Sequence, residues 1–308
     1  MKSSSKISIY AALTGNFLVT ATKFTAAIIS GSSAMLSEGI HSLVDTGNQF
    51  LLLFGLRQSK KPATDLFPYG HGKEVYFWSF VVAILIFALG AGVSVYEGIN
   101  HLITPNPIED PLINYIVLSF AFIFEGTTLL IALKQFSKEK GKYSYFEAVH
   151  RGKDPSHFIV IFEDSAAVAG IVTAFAGIFL GKITGNPYFD GIASIIIGII
   201  LGITAALLAY ETKGLLIGES ANKEIVSKIR KIISSFDEIQ NINEILTMHM
   251  GPDYILANIA VDFIGSIGSE EVEYIISLLD KKIKNEIPDV KRIFIEAESF
   301  SKNKRSEM

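Results

Sequence analysis

Residues 37–49 read SEGIHSLVDTGNQ and sit inside a long apolar run. A glutamate, a histidine, an aspartate and an asparagine are costly there unless they do chemistry. On a helix of 3.6 residues per turn, Glu38, His41, Asp45 and Asn48 share an arc of roughly 80°. His41 and Asp45 are i and i+4, so their Cβ atoms lie about 6 Å apart on one face. An imidazole nitrogen and a carboxylate oxygen so placed supply two corners of a tetrahedral divalent-metal site. Asp164, preceded by Glu163 in FIVIFEDSAAVAG, offers a third corner, and Glu125 in FEGTTLL a fourth ligand or a proton carrier. The alternative is a hydrogen-bonded polar network that only pins helices together. The carboxylates outnumber the cations available to neutralise them, which favours metal or proton binding.

These residues must be positioned by something that crosses a membrane. Of 308 residues, 49% are hydrophobic and 19% charged, below the roughly 25% charged usual in soluble chains. The apolar residues cluster in blocks near 7–30, 34–56, 76–103, 113–134, 157–181 and 190–210. Each is long enough to cross a hydrocarbon core of roughly 30 Å as a helix. Lys23 lies well inside the first block and can pair with an acid. Glu97 and Asp190 lie near span ends, where wetting at the interface accounts for them. No cysteine occurs, so disulfides are excluded and metal ligands are limited to His, Asp, Glu and carbonyl groups.

Loop charge sets the orientation. Arg57, Lys60, Lys61 and Lys73 crowd one loop, and Lys134, Lys138, Lys140, Lys142, Arg151 and Lys153 another, whereas the alternate loops hold Lys182 alone. The positive-inside rule then places both termini and the basic loops in the cytoplasm of a six-helix, multi-pass protein. MKSSSKISIY reads as a tail entering a retained first helix, not a cleaved signal peptide.

Residues 1–210 are thus expected to form the membrane domain and 211–308 a cytoplasmic domain. In the latter, 220–236 has helical periodicity with Ser220 as N-cap. Two strands, NEILTMHM and YILANIAVDF, flank the turn Gly251-Pro252-Asp253. A second amphipathic helix covers 268–287 and a third strand 290–298. The α-β-β-α-β order suits a ferredoxin-like α/β module.

SEGIHSLVDTGNQ, FPYGHGKEVYFWS, DPSHFIVIFEDSAAVAGI and TGNPYFDGIASIIIG together resemble the cation diffusion facilitator family, in its branch of mitochondrial zinc-transporter relatives. The resemblance spans roughly residues 7–300. It implies a homodimer, joined by the tail, that exports a divalent cation, usually zinc, in exchange for protons, with His41, Asp45 and Asp164 as ligands. Many members carry His or Asp four residues before the aspartate of the fifth span, where this chain has Val160. Glu163, Glu125, Asn48 or water must then close the site, and an oxygen-richer site also suits manganese, iron or cobalt. The family's accessory sites are depleted. Asp65 and His71 remain in the first basic loop and His249 in the tail.

The expected function is metal/proton antiport by alternating access in a plasma or inner membrane. The transported ion and protons are the only small-molecule partners, with no resident cofactor, no enzymatic activity and no nucleic acid. The rivals are a membrane-anchored metal sensor or scaffold, which the lone tail histidine argues against, and a channel without proton coupling. An ATPase is disfavoured, since no G-x-x-x-x-G-K-[ST] loop occurs.

Overall fold

The computed structural model describes residues 3–298 except 109 and 142. Every apolar block of the sequence lies within one long helix: α1 (Ser3–Ser30), α2 (Ser33–Ser59), α3 (Glu74–Ile103), α4 (Leu112–Glu139), α6 (Pro155–Thr184) and α7 (Tyr188–Ile217). A short helix, α5 (Tyr145–Arg151), lies between α4 and α6 and is capped by the Ser144 hydroxyl, which accepts from the Glu147 N–H. The chain continues with α8 (Lys223–Ile233), β1 (Ile239–Gly251), β2 (Tyr254–Phe263), α9 (Ser269–Glu286) and β3 (Val290–Ala297).

Four of these helices are long and apolar enough to cross a membrane: α3, α4 over Leu112–Lys138, α6 over Phe158–Thr184, and α7. The other two have the length, at 28 and 27 residues. In α2 the polar stripe of the first paragraph dilutes the apolar content.

Two compact units emerge. One comprises Met1–Arg57 and Val75–Lys213, the other Gln58–Glu74 and Gly214–Met308. In the first unit, α4 packs along α6 and against α1. The outer face of α4 exposes Phe120, Phe122, Ile123, Leu130 and Ile131, an exterior that hydrocarbon covers without cost. Helices α3 and α7 approach closely, because a Cβ at Gly98 or Gly198 would strike the backbone of the other helix. One turn of α3, Ile86–Ala91, widens into a π-helix.

The start of α2 is held from a distance. Its Ser33 N–H donates to Asp190 Oδ2 at 2.6 Å, and the Ser32 hydroxyl donates to Asp190 Oδ1 at 2.6 Å. Asp190 therefore caps α2 from the first turn of α7. It is buried, 3% exposed, which corrects the expectation of a wetted span end. Glu97, by contrast, stays half-buried.

The second unit has its own core. Ile255, Ala257, Ile259 and Val261 alternate along β2 onto a buried face, covered by Ile229, Ile232 and Ile233 of α8 and Ile275, Leu279 and Ile283 of α9. The sheet order is β1-β2-β3, with β1 antiparallel and β3 parallel to β2. The α-β-β-α-β order is as expected. A ferredoxin-like sheet is built from β-α-β-β-α-β, and the described residues supply three strands. Helix α8 starts at Lys223 with Asn222 in the cap position, not at Ser220. The Ser220 hydroxyl bonds its neighbour's carbonyl instead.

The basic segment 58–74 belongs to this unit, which its sequence does not announce. Gly72 lies against Met250 so closely that a Cβ would collide with the Met250 carbonyl. Lys73 Nζ reaches the Leu216 carbonyl at 3.3 Å and Met248 Sδ at 3.7 Å. Gly72→Ala overpacks this contact, at a cost of about 1–3 kcal/mol. Trypsin should then cut full-length protein after Lys60 about 5-fold faster or more, as opening becomes easier. An unchanged cleavage rate would mean that the segment is not held through Gly72.

Candidate metal centre

Four helices of the first unit meet around one set of ionisable side chains. From α1 comes Lys23, fully buried, whose Nζ donates to Glu38 Oε2 at 2.9 Å and to Ser42 Oγ at 2.8 Å, both on α2. From α2 also come His41, Asp45 and Asn48. Asn48 donates through Nδ2 to Glu163 Oε1 of α6 at 2.7 Å. Asp164, the next residue on α6, sits beside the Thr128 hydroxyl of α4. Glu125, one turn earlier on α4, is buried. Each link ties a different pair of helices, so the polar groups are also the fasteners of the bundle. A Cβ at Gly170 of α6 would collide with Glu38 Oε1, so glycine is required for α6 to lie this close to α2.

His41 Nε2 and Asp45 Oδ2 are 3.4 Å apart, with the imidazole almost fully buried and Asp45 slightly exposed. That separation is too long for a strong hydrogen bond. Two ligands roughly 2.1 Å from one ion at the tetrahedral angle stand about 3.4 Å apart. The pair is thus spaced as one edge of a coordination tetrahedron. Neither ring nitrogen of His41 has a hydrogen-bond partner, nor do Glu38 Oε1, Asp45 Oδ1, Asn48 Oδ1 and Asp164 Oδ2, all of them buried. Orphaned buried polar atoms cost about 1–3 kcal/mol each and are few in native proteins. Here they cluster on the residues whose types suit a divalent cation. Glu163, Glu125, Lys23 and Asp164 all lie within electrostatic reach of Asp45.

The structure brings some expected ligands together and holds others apart. Among the described residues, no three His, Asp or Glu groups converge closely enough to hold one ion. His41 and Asp45 form the pair. Glu163 is engaged by Asn48, and Asp164 and Glu125 stand as acidic neighbours on α6 and α4. Val160, in the position where many relatives carry a ligand, is 36% exposed. Its partial exposure contrasts with the buried Glu163 on the same helix.

The accessory residues do not assemble. Asp65 is exposed, and His71 packs its ring against Phe67 at 4.6 Å between centroids. His249 is buried on β1, its N–H donating to the Glu219 carbonyl at 3.0 Å. Sequence reasoning had placed Glu38 in the polar stripe without giving it a role. The structure assigns it the counter-charge of Lys23, a pairing of residues 15 apart that helical spacing within α2 cannot reveal.

Residues 9–217 match the cation efflux transmembrane domain. The mitochondrial proton-coupled zinc antiporter SLC30A9 of Xenopus laevis is 36% identical over 276 residues, covering 87% of this chain and 48% of that protein. Metal tolerance protein C4 of Arabidopsis thaliana is 33% identical over 258 residues, covering 83% and 56%. A manganese efflux system protein of Bacillus subtilis is 23% identical over 296 residues, 94% of each chain. The chain spans about half the length of the first two relatives.

The Lys23–Glu38 pair yields a stability test. Removing one partner of a buried pair costs about 3–5 kcal/mol, because the other charge is left uncompensated. Lys23→Met should lower the thermal midpoint of the detergent-purified protein sharply, and Lys23→Met/Glu38→Gln should regain most of the loss. Equal midpoints for the single and double variants would show that the pair does not carry this burial.

Proposed function

The chain belongs to the cation efflux family, and from that premise we propose that it exchanges a divalent metal cation, zinc foremost, for protons across a membrane. The observation that carries this reading is the buried His41–Asp45 pair, set at the edge length of a tetrahedral ion site and surrounded by orphaned polar atoms and further carboxylates. The cation is the cargo. His41 binds it as neutral imidazole and Asp45 as carboxylate, so loading expels protons from the ligands. On the more acidic side, protons compete for the same lone pairs, and the metal leaves. Imidazole is suited to this role because its ordinary titration lies near physiological pH.

Each neighbour has a part. Asp164, Glu163 and Asn48 supply oxygen ligands as α6 moves relative to α2. Glu125 relays protons or completes the shell from α4. Lys23 pairs with Glu38 at the edge of the centre, so that its charge is met by a fixed partner and the other carboxylates are left for the metal. Zinc is favoured by the imidazole ligand and by the similarity to proton-coupled zinc antiporters. Manganese is the second reading, favoured by the oxygen-rich surroundings and by the bacterial manganese-efflux relative.

In this reading all six long helices span the membrane, with both termini and the basic loops in the cytoplasm of a plasma or inner membrane. The second unit, a ferredoxin-like module lacking a first strand among the described residues, joins two copies into a homodimer. His71, Asp65 and His249 have at most an accessory role in metal binding.

Reconstituted into liposomes, the wild-type chain should take up zinc faster when a pH gradient is imposed. His41→Ala and Asp45→Ala should each abolish uptake while leaving insertion and thermal midpoint close to wild type. Normal uptake by either variant would remove the pair from the transport site, and uptake indifferent to the gradient would point to a channel.

A further inference from the structure

A second histidine–aspartate pair lies in the first unit, away from the centre just described. His101, in the last turn of α3, is 6% exposed, and its Nε2 stands 3.7 Å from Asp190 Oδ2 at the start of α7. That is too far for a hydrogen bond, and His101 Nε2 is among the buried atoms without a partner. Capping of α2 accounts for Asp190, whose two oxygens accept from the Ser32 hydroxyl and the Ser33 N–H. It does not account for a buried imidazole brought alongside with its Nε2 left unbonded. The Ala34 N–H bonds the same carboxylate; its two oxygens offer about four acceptor positions, so three hydrogen bonds leave one for a cation.

The surroundings admit an ion. A cavity of about 230 Å³ is lined by His101, Ser32, Ser33, Glu97 and Asn106, and a second of about 240 Å³ by Asp190, Asn106 and Lys182. The pair stands between the two, and Glu97, one turn before His101, supplies a further carboxylate to the first. The residues between this pair and the centre are also polar. Ser37 on α2 and Ser194 on α7 share a hydrogen bond of 2.6 Å, and Ser194 donates to the Ser94 carbonyl of α3 at 2.8 Å. Ser33 precedes His41 by eight residues, about 12 Å along the axis of α2.

We propose that His101 and Asp190 form a second divalent-cation subsite, a way station for the ion carried by His41 and Asp45. As a binding site it stands on its own geometry. As a way station it rests on the transport reading above.

The test is equilibrium binding of radioactive zinc to the detergent-purified full chain, with thermal midpoints measured alongside. His101→Gln, which leaves the Asp190 cap intact, should lose one equivalent of bound zinc relative to wild type at an unchanged midpoint. Asp190→Asn should lose the same equivalent. His41→Ala should lose a different one, and the His41→Ala/His101→Gln double variant both. In liposomes, His101→Gln should slow uptake several-fold while leaving the zinc concentration for half-maximal rate near wild type. A His101→Gln protein that binds as much zinc as wild type overturns the subsite, as does one that loses only the equivalent lost by His41→Ala. If His41→Ala retains every equivalent while His101→Gln loses one, the subsite stands and the transport-site reading falls.

Discussion

The cost of holding charge in a low-dielectric interior governs this structure. An ionised side chain in a span costs at least a few kcal/mol unless it is paired or hydrated. Among the described residues the chain meets that cost with one fully buried lysine, Lys23. Lys23 closes on Glu38 and Ser42 with contacts under 3 Å, and within reach of the same ammonium lie Glu125 and Asp45. A single lysine does not balance all the neighbouring carboxylates. What remains is an interior with unpartnered polar atoms on His41, Asp45, Asn48 and Asp164, and on the proposed reading these are the atoms a divalent cation satisfies.

Much of this was legible in the sequence because it depends on local spacing. The i, i+4 relation of His41 and Asp45 is a property of any helix, and the pair is formed as that relation requires. The apolar blocks mark the long helices for the same reason. The strand YILANIAVDF was read to the residue, since its alternation and flanking turn are contiguous. What the sequence hid is what depends on long-range contact. Asp190 looks like a wetted span end until Ser32 and Ser33, more than 150 positions away, are seen to bond to it. The placement of 58–74 with the C-terminal unit rests on Gly72 meeting Met250, which no periodicity encodes. Ser220 is a sound N-cap by residue type, and the helix nonetheless begins after Asn222.

The polar groups of the membrane unit serve two ends at once. Lys23–Glu38 joins α1 to α2, Asn48–Glu163 joins α2 to α6, and Ser37–Ser194 joins α2 to α7. Helix α2 is the common member of these three links. A carrier that alternates its access must move some helices against others, and polar contacts that can be exchanged suit sliding surfaces better than interlocked apolar side chains. The close glycine packing of α3 on α7 is the opposite kind of contact, with backbones in near touch. In the proposed exchange cycle, α3 and α7 move as a pair and α2 is the helix whose partners change.

The central claim is that a divalent cation and protons compete for the same atoms on His41 and Asp45. Its most direct test is proton release measured while zinc is titrated into the purified full chain in weak buffer near pH 6.5. The account predicts release stoichiometric with the tightly bound ion, rising as the starting pH is lowered, and lost when His41 and Asp45 are both replaced by alanine. Tight zinc binding with no proton release, or release that persists in the doubly substituted chain, would contradict it.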